Sequence, residues 1–131
     1  MITILVDHNI EGHAVIIWGA LAADGWLDLL SIKLLTFEEA GLPADSNDRT
    51  VWRFAQKNKM FLLTDNRNMK GSDSLEQTIR EENTPISLPV LTLGNTDRLD
   101  EKMYRDNFVS RLIDILLDSD NYLGTGRIFI P

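Results

Sequence analysis

The hydrophobic positions of this chain alternate between short continuous runs and longer periodic ones. Ile2–Val6 is apolar at nearly every position, the pattern of a central parallel strand buried on both faces. Ile32–Thr36, Phe61–Thr64 and Val90–Leu93 have the same form. Arg127–Ile130 is a last short run, and Pro131 after it suits an edge strand. Between the runs the period lengthens. Ile10, Ala14, Ile17, Trp18 and Leu21 recur at helical spacing, with Asn9 as a cap and Asp24-Gly25 as a stop. Ser46 predicts the start of a helix from about Asn47 to Lys57 that buries Val51, Trp52 and Ala55. Ser72 or Asp73 opens a helix to about Glu82 with Leu75 and Ile79 inward, and Asp73 with Glu76 resembles a capping box. Asp97 or Asp100 caps a long helix to about Leu117, whose apolar stripe is Tyr104, Phe108, Leu112, Ile115 and Leu116. Phe37–Pro43, Asp65–Ser72, the segment bracketed by Pro85 and Pro89, and Asn121–Gly126 carry the breakers of connections. Strand and helix patterns alternating along one chain predict an α/β domain. Its sheet is mainly parallel, with helices on both faces and right-handed crossovers.

Length and composition narrow this little. The 131 residues, 44% of them hydrophobic, suit one domain spanning 1–131 with a real core. There is no cysteine, hence no disulfide and no thiolate metal site. The first apolar run is too short for a signal peptide, and no stretch reaches the roughly 18 apolar residues of a membrane span. A cytoplasmic location is expected. The net charge of −7 argues against nucleic-acid binding through bulk charge. It leaves room for an enzyme that meets nucleic acid through metal ions or a local basic strip, and Arg49, Arg53, Lys57, Lys59, Arg67 and Lys70 form such a strip. The same residues also read as ordinary solvated helix faces.

The candidate chemistry is acidic. Asp7 follows the first strand at once, Asp65 follows the third, and Asp48 opens a helix. Ligands in open parallel sheets bind at the carboxyl ends of the strands. Carboxylates gathered in one polar pocket repel each other, and a divalent cation relieves that repulsion. Mg²⁺ and Mn²⁺ prefer oxygen ligands. The expected reaction is metal-assisted hydrolysis of a phosphodiester. Each aspartate also has a structural reading: Asp7 and Asp65 as turn residues, Asp48 as a complement to a helix dipole. His8, beside Asp7, is a candidate base or ligand, but the two histidines lack zinc spacing. No nucleophile elbow and no P-loop occurs. Trp18, Trp26 and Trp52 read as core or interface, and Trp26–Leu30 and the Tyr104/Phe108 face as core or dimer contact.

Three segments together resemble a known family. Leu5-Val6-Asp7-His8-Asn9, Ser46-x-Asp48 ahead of Val51-Trp52-x-x-Ala55, and Leu63-Thr64-Asp65-x-Arg67-Asn68-Met69 are similar, in order and spacing, to the PIN-like nuclease superfamily. The likeness is to its short bacterial branch of cyanobacterial type, and it covers roughly residues 1–95. It implies a three-layer α/β/α sandwich with about five mainly parallel strands, Mg²⁺ or Mn²⁺ in an acidic pocket, and cleavage of RNA. Many relatives are toxins of toxin–antitoxin pairs and homodimers, which implies an RNA substrate and an antitoxin-like protein partner. By the resemblance Asp7, Asp48 and Asp65 are the catalytic metal ligands, and Asn9, Arg67 and Asn68 meet substrate or orient a ligand. The branch usually has a further acid where Asn68 stands, and Asp73 is the nearest substitute ligand. That departure keeps a second possibility open, a PIN-like fold that binds protein or RNA with little catalysis. A third is a small-molecule phosphohydrolase with Asp7 as nucleophile, although such enzymes place an acid where this chain has Asn9.

Overall fold

Five strands pair side by side, all parallel: Ile2–Val6 (β1), Ile32–Leu35 (β2), Phe61–Thr64 (β3), Val90–Leu93 (β4) and Arg127–Ile130 (β5). Their order in space is β2-β1-β3-β4-β5. The structure is a computed structural model and describes residues 1–67 and 71–131. The strands are joined through helices Glu11–Ala23 (α1), Trp26–Leu29 (α2), Phe37–Ala40 (α3), Asp48–Lys57 (α4), Leu75–Glu82 (α5) and Lys102–Leu117 (α6). The expected α/β architecture with a parallel sheet and flanking helices is the observed one. The run beginning at Arg127 is an edge strand, as Pro131 suggested. No helix among the described residues is long and apolar enough to cross a membrane.

Strand side chains alternate between faces, and this splits the core in two. Ile4 and Val6 of β1, Phe61 and Leu63 of β3, and Leu91 and Leu93 of β4 face one way. They pack with Ile17 and Leu21 of α1 and with Phe108, Leu112 and Ile115 of α6. Leu5, Leu62 and Val90 face the other way, against Phe37 of α3, Val51, Trp52 and Ala55 of α4, and Leu75 of α5. Every residue of β3 and β4 is buried, so both faces of these strands are covered. Tyr104 and Phe108 belong to the first core, not to an open dimer face. Trp26, Leu27 and Leu30 pack partly against it, while Leu29 is exposed.

The chain leaves β1 for β2 on one side and comes back to β3 on the other. The strand order therefore reverses between β1 and β3. In open α/β sheets the crevice above such a reversal, at the carboxyl ends of the strands, is where ligands bind.

The helix starts differ from the sequence expectation. Asn9 caps nothing; it lies in a 3₁₀ turn, His8–Ile10, ahead of α1, and the Ile10 N–H reaches the Asp7 carbonyl at 3.0 Å. Asn47, not Ser46, caps α4 by accepting from the Thr50 N–H at 2.8 Å, because the Ser46 hydroxyl donates to the Pro43 carbonyl. Ser74 caps α5, so the box expected between Asp73 and Glu76 does not form. A capping box occurs instead at Thr36 and Glu39, and makes α3 from part of the stretch expected as connection. A 3₁₀ turn at Thr96–Arg98 precedes α6, whose N-cap position is Glu101, with no side-chain cap, and not Asp97 or Asp100. Trp18 is 44% exposed, off the buried stripe of α1 that its neighbour Ile17 occupies.

Candidate active site

Strand alternation places a polar row directly beyond an apolar one. Leu5, Leu62 and Val90 pair at one level of the sheet, facing α4 and α5. One pleat further toward the carboxyl ends, the same face carries Thr64 and Thr92, and Asp7 follows on from β1. Both threonines are 0% exposed. A buried hydroxyl needs a partner, and Thr64 Oγ1 donates to Asp7 Oδ2 at 2.6 Å. The Asp7 N–H donates to the Leu63 carbonyl at 2.9 Å, which fixes the aspartate backbone onto β3.

Asp48 arrives from the opposite side, on the first turn of α4. Its Oδ2 accepts from Asn66 Nδ2 at 2.9 Å and from the Leu75 N–H at 3.0 Å. The second donor is the first backbone N–H of α5, a position where helix geometry leaves the donor free and favours negative charge. Asp48 thus ties together α4, the segment after β3 and the start of α5.

Asp7, Asn9 and Asp48 line one small cavity of about 70 Å³, with His8, Phe37 and Ser46 among its other walls. Burial pushes the Asp7 carboxyl above its ordinary pKa. The charges of Asp48 and Asp65 push it the same way, against the Thr64 hydroxyl and the Asn9 N–H, which favour the ionised form. The pocket therefore disfavours the charged form of Asp7, and a cation bound beside it would offset that penalty.

No family profile, curated protein or solved structure matches the chain. Asp65 is exposed and acts on Asp7 through its charge. Arg67, also exposed, donates to the Gly94 carbonyl and lines a separate cavity of about 370 Å³ with Arg98, Tyr104 and Phe129. Asp73 is drawn away from the pocket: its Oδ1 accepts from Arg49 Nε at 3.0 Å. Asn68 and Lys70 lie outside the described residues. His8 Nδ1 is 3.1 Å from Glu11 Oε1, and Glu11 in turn accepts the Phe37 N–H at 3.0 Å, so the imidazole belongs to the cavity wall. Two members of the basic strip are neutralised: Arg49 pairs with Asp73, Glu81 and Glu82, and Arg53 with Glu82.

Among the described residues, no group of three or more His, Asp or Glu side chains is arranged as a metal cage. Mg²⁺ does not require one, since it commonly keeps several waters and takes one or two carboxylates together with substrate phosphate. Oxygen donors from Asp7 and Asp48, with Asp7 destabilised as a bare anion, fit that kind of ion. Four polar residues that serve this site have no site role in the sequence pattern: Thr64, Asn66, Thr92 and Arg127. The signal available for the threonines was a hydroxyl two places beyond a buried apolar residue, at the ends of runs too apolar to expose them.

Proposed function

We propose that this chain is a metal-dependent nuclease of the PIN-like type, hydrolysing phosphodiester bonds of RNA. One observation carries the reading: Asp7 and Asp48 come from distant parts of the chain into one pocket, where the strand order reverses. Each is held there by oriented donors. The residues that would hold Mg²⁺ or Mn²⁺ are Asp7 and Asp48, with Asp65 adding negative charge. When bound, the ion supplies neutralisation of the phosphoryl transition state and acidifies a water.

The chain's own groups set the geometry. Thr64 and Asn66 fix the carboxylates by donating to one oxygen of each, at Oδ2. The oxygen of the attacking water would bond to phosphorus, and its proton would pass through solvent to the departing oxygen. The bond from phosphorus to the leaving ribose oxygen then breaks. Arg67, Arg98 and the exposed ring of Phe129 border a second cavity, and such a mix of cations and aromatic faces suits the phosphates and bases of a single strand.

The test is cleavage of labelled single-stranded RNA by purified protein in Mn²⁺ and in chelator. Metal-dependent cleavage that disappears in Asp7→Asn and in Asp48→Asn supports the reading. Cleavage that persists in the double variant overturns it. A second reading, a binding module without turnover, is favoured by the two N–H donors already engaged on Asp48 and by the lack of a three-ligand metal cage among the described residues. RNA retained but uncut in Mn²⁺ would establish it.

A further inference from the structure

The last strand brings a buried cation to this pocket. Arg127 is the first residue of β5 and pairs at the level of Val90, on the α4/α5 face. Its side chain is 8% exposed. Nη1 donates to the Asn66 carbonyl at 2.7 Å and to Thr92 Oγ1 at 2.8 Å, while Nη2 reaches Glu76 Oε2 at 3.2 Å. Nε finds no acceptor among the described residues. Burial lowers the proton affinity of the guanidinium, and Glu76 opposes that. A buried ion pair is weak support for stability, because desolvation offsets much of its attraction. What the planar fork does supply is fixed geometry between separate acceptors.

Asn66 is the node on which this geometry acts. Arg127 holds its carbonyl. Its N–H donates to Thr64 Oγ1 at 2.9 Å, and the Thr64 hydroxyl donates on to Asp7. Its side-chain amide donates to Asp48. Glu76, the other partner of Arg127, directly follows Leu75, whose N–H also holds Asp48.

We infer that Arg127 is a positioning residue for the acidic pocket, fixing Asn66 and, through Asn66, the carboxylates of Asp7 and Asp48. Its effect on metal binding rests on the nuclease reading; the hydrogen-bond chain does not.

Three variants separate the roles. Arg127→Met keeps bulk and removes the fork. Arg127→Lys keeps charge without the fork. Asn66→Ser keeps the backbone bonds and removes the donor to Asp48. The readouts are Mn²⁺ affinity by calorimetry and the NMR signals of the Asn66 side-chain amide and the Leu75 backbone amide. Loss of an outer partner of a metal ligand typically costs 10–100-fold in affinity, and about that loss is expected for Arg127→Met. Lysine gives no rescue, and both NMR signals move. The Arg127→Met/Asn66→Ser double variant binds no more weakly than the weaker single one, because both act along one path. A folded Arg127→Met protein with wild-type Mn²⁺ affinity and unmoved signals overturns the inference and leaves the nuclease reading standing. A wild type that binds no Mn²⁺, yet whose signals move in Arg127→Met, sinks the nuclease reading and keeps the positioning role. If Arg127→Met does not fold, Arg127→Lys gives the same readouts with the same consequences.

Discussion

Asp48 and Arg49 are neighbours in sequence and sit in opposite kinds of charge cluster. Asp48 faces inward to a pocket whose carboxylates outnumber nearby cations and are satisfied by neutral donors: a hydroxyl, an amide and a helix N–H. Arg49 faces a group of three acids, Asp73, Glu81 and Glu82, which are paired by it and by Arg53. One cluster stays electrostatically unfinished, and the other is closed upon itself. Charge density in a sequence does not distinguish them; what pairs with what in space does.

The sharpest way to break the comparison is to remove each neighbour in turn. Asp48→Asn should reduce metal-dependent cleavage by more than roughly a hundredfold, since losing a ligand costs more than losing its outer support. Arg49→Met should leave cleavage unchanged and lower the melting temperature. Equal losses of cleavage in the two would erase the distinction.

The two clusters should also answer pH with opposite sign. The Asp7 carboxyl titrates higher in the fold than its ordinary value, chiefly through burial, so the folded chain binds more protons than the unfolded one across the carboxylate range. Stability contributed there falls as pH rises through that window. Asp7→Asn should therefore melt higher than wild type at neutral pH, with the gain vanishing in acid. Glu82 is shifted the other way, first by its hydrogen bond from Arg53 and then by Arg49. Its contribution is complete above the ordinary glutamate value and is lost as pH falls through the lowered one. Glu82→Gln should melt lower than wild type at neutral pH and converge with it in acid. Thermal scans of both variants across pH 3–8 would check the pair.

Smaller effects refine the picture. Asn47 caps the helix that carries both Asp48 and Arg49, and Asn47→Ala should cost about 1 kcal/mol in denaturant unfolding. It should disturb both clusters together. The smallest effect concerns screening. At 1 M salt the Debye length falls to about 3 Å, so the penalty of Arg49→Met should shrink while the gain of Asp7→Asn changes little.

The sheet was legible in the sequence because β1, β3, β4 and β5 are short, mostly apolar runs set between connections rich in polar residues, Gly and Pro. The helix starts were not. Ser46 and Asn47, or Ser72, Asp73 and Ser74, offer competing caps within a few residues, and distant contacts settle the choice. Ser46 is occupied by Pro43, and Asp73 by Arg49. At the site, Asp7 was readable from its place behind a strand and Asp48 from its place before a helix. Thr64, Thr92 and Arg127 were not, because their roles depend on strand register. A threonine closing an apolar run looks the same whether or not an aspartate from another strand lies beside it.

The bond from Arg127 to Asn66 joins residues 61 positions apart, and that spacing has a consequence in time. A ribosome has made Asp7, Asp48 and Asn66 long before residue 127 leaves the exit tunnel. A nascent chain can therefore lay down its first strands and gather its acids while the clamp that aligns them is still unmade. On the nuclease reading proposed above, late arming of this kind would protect the message being translated.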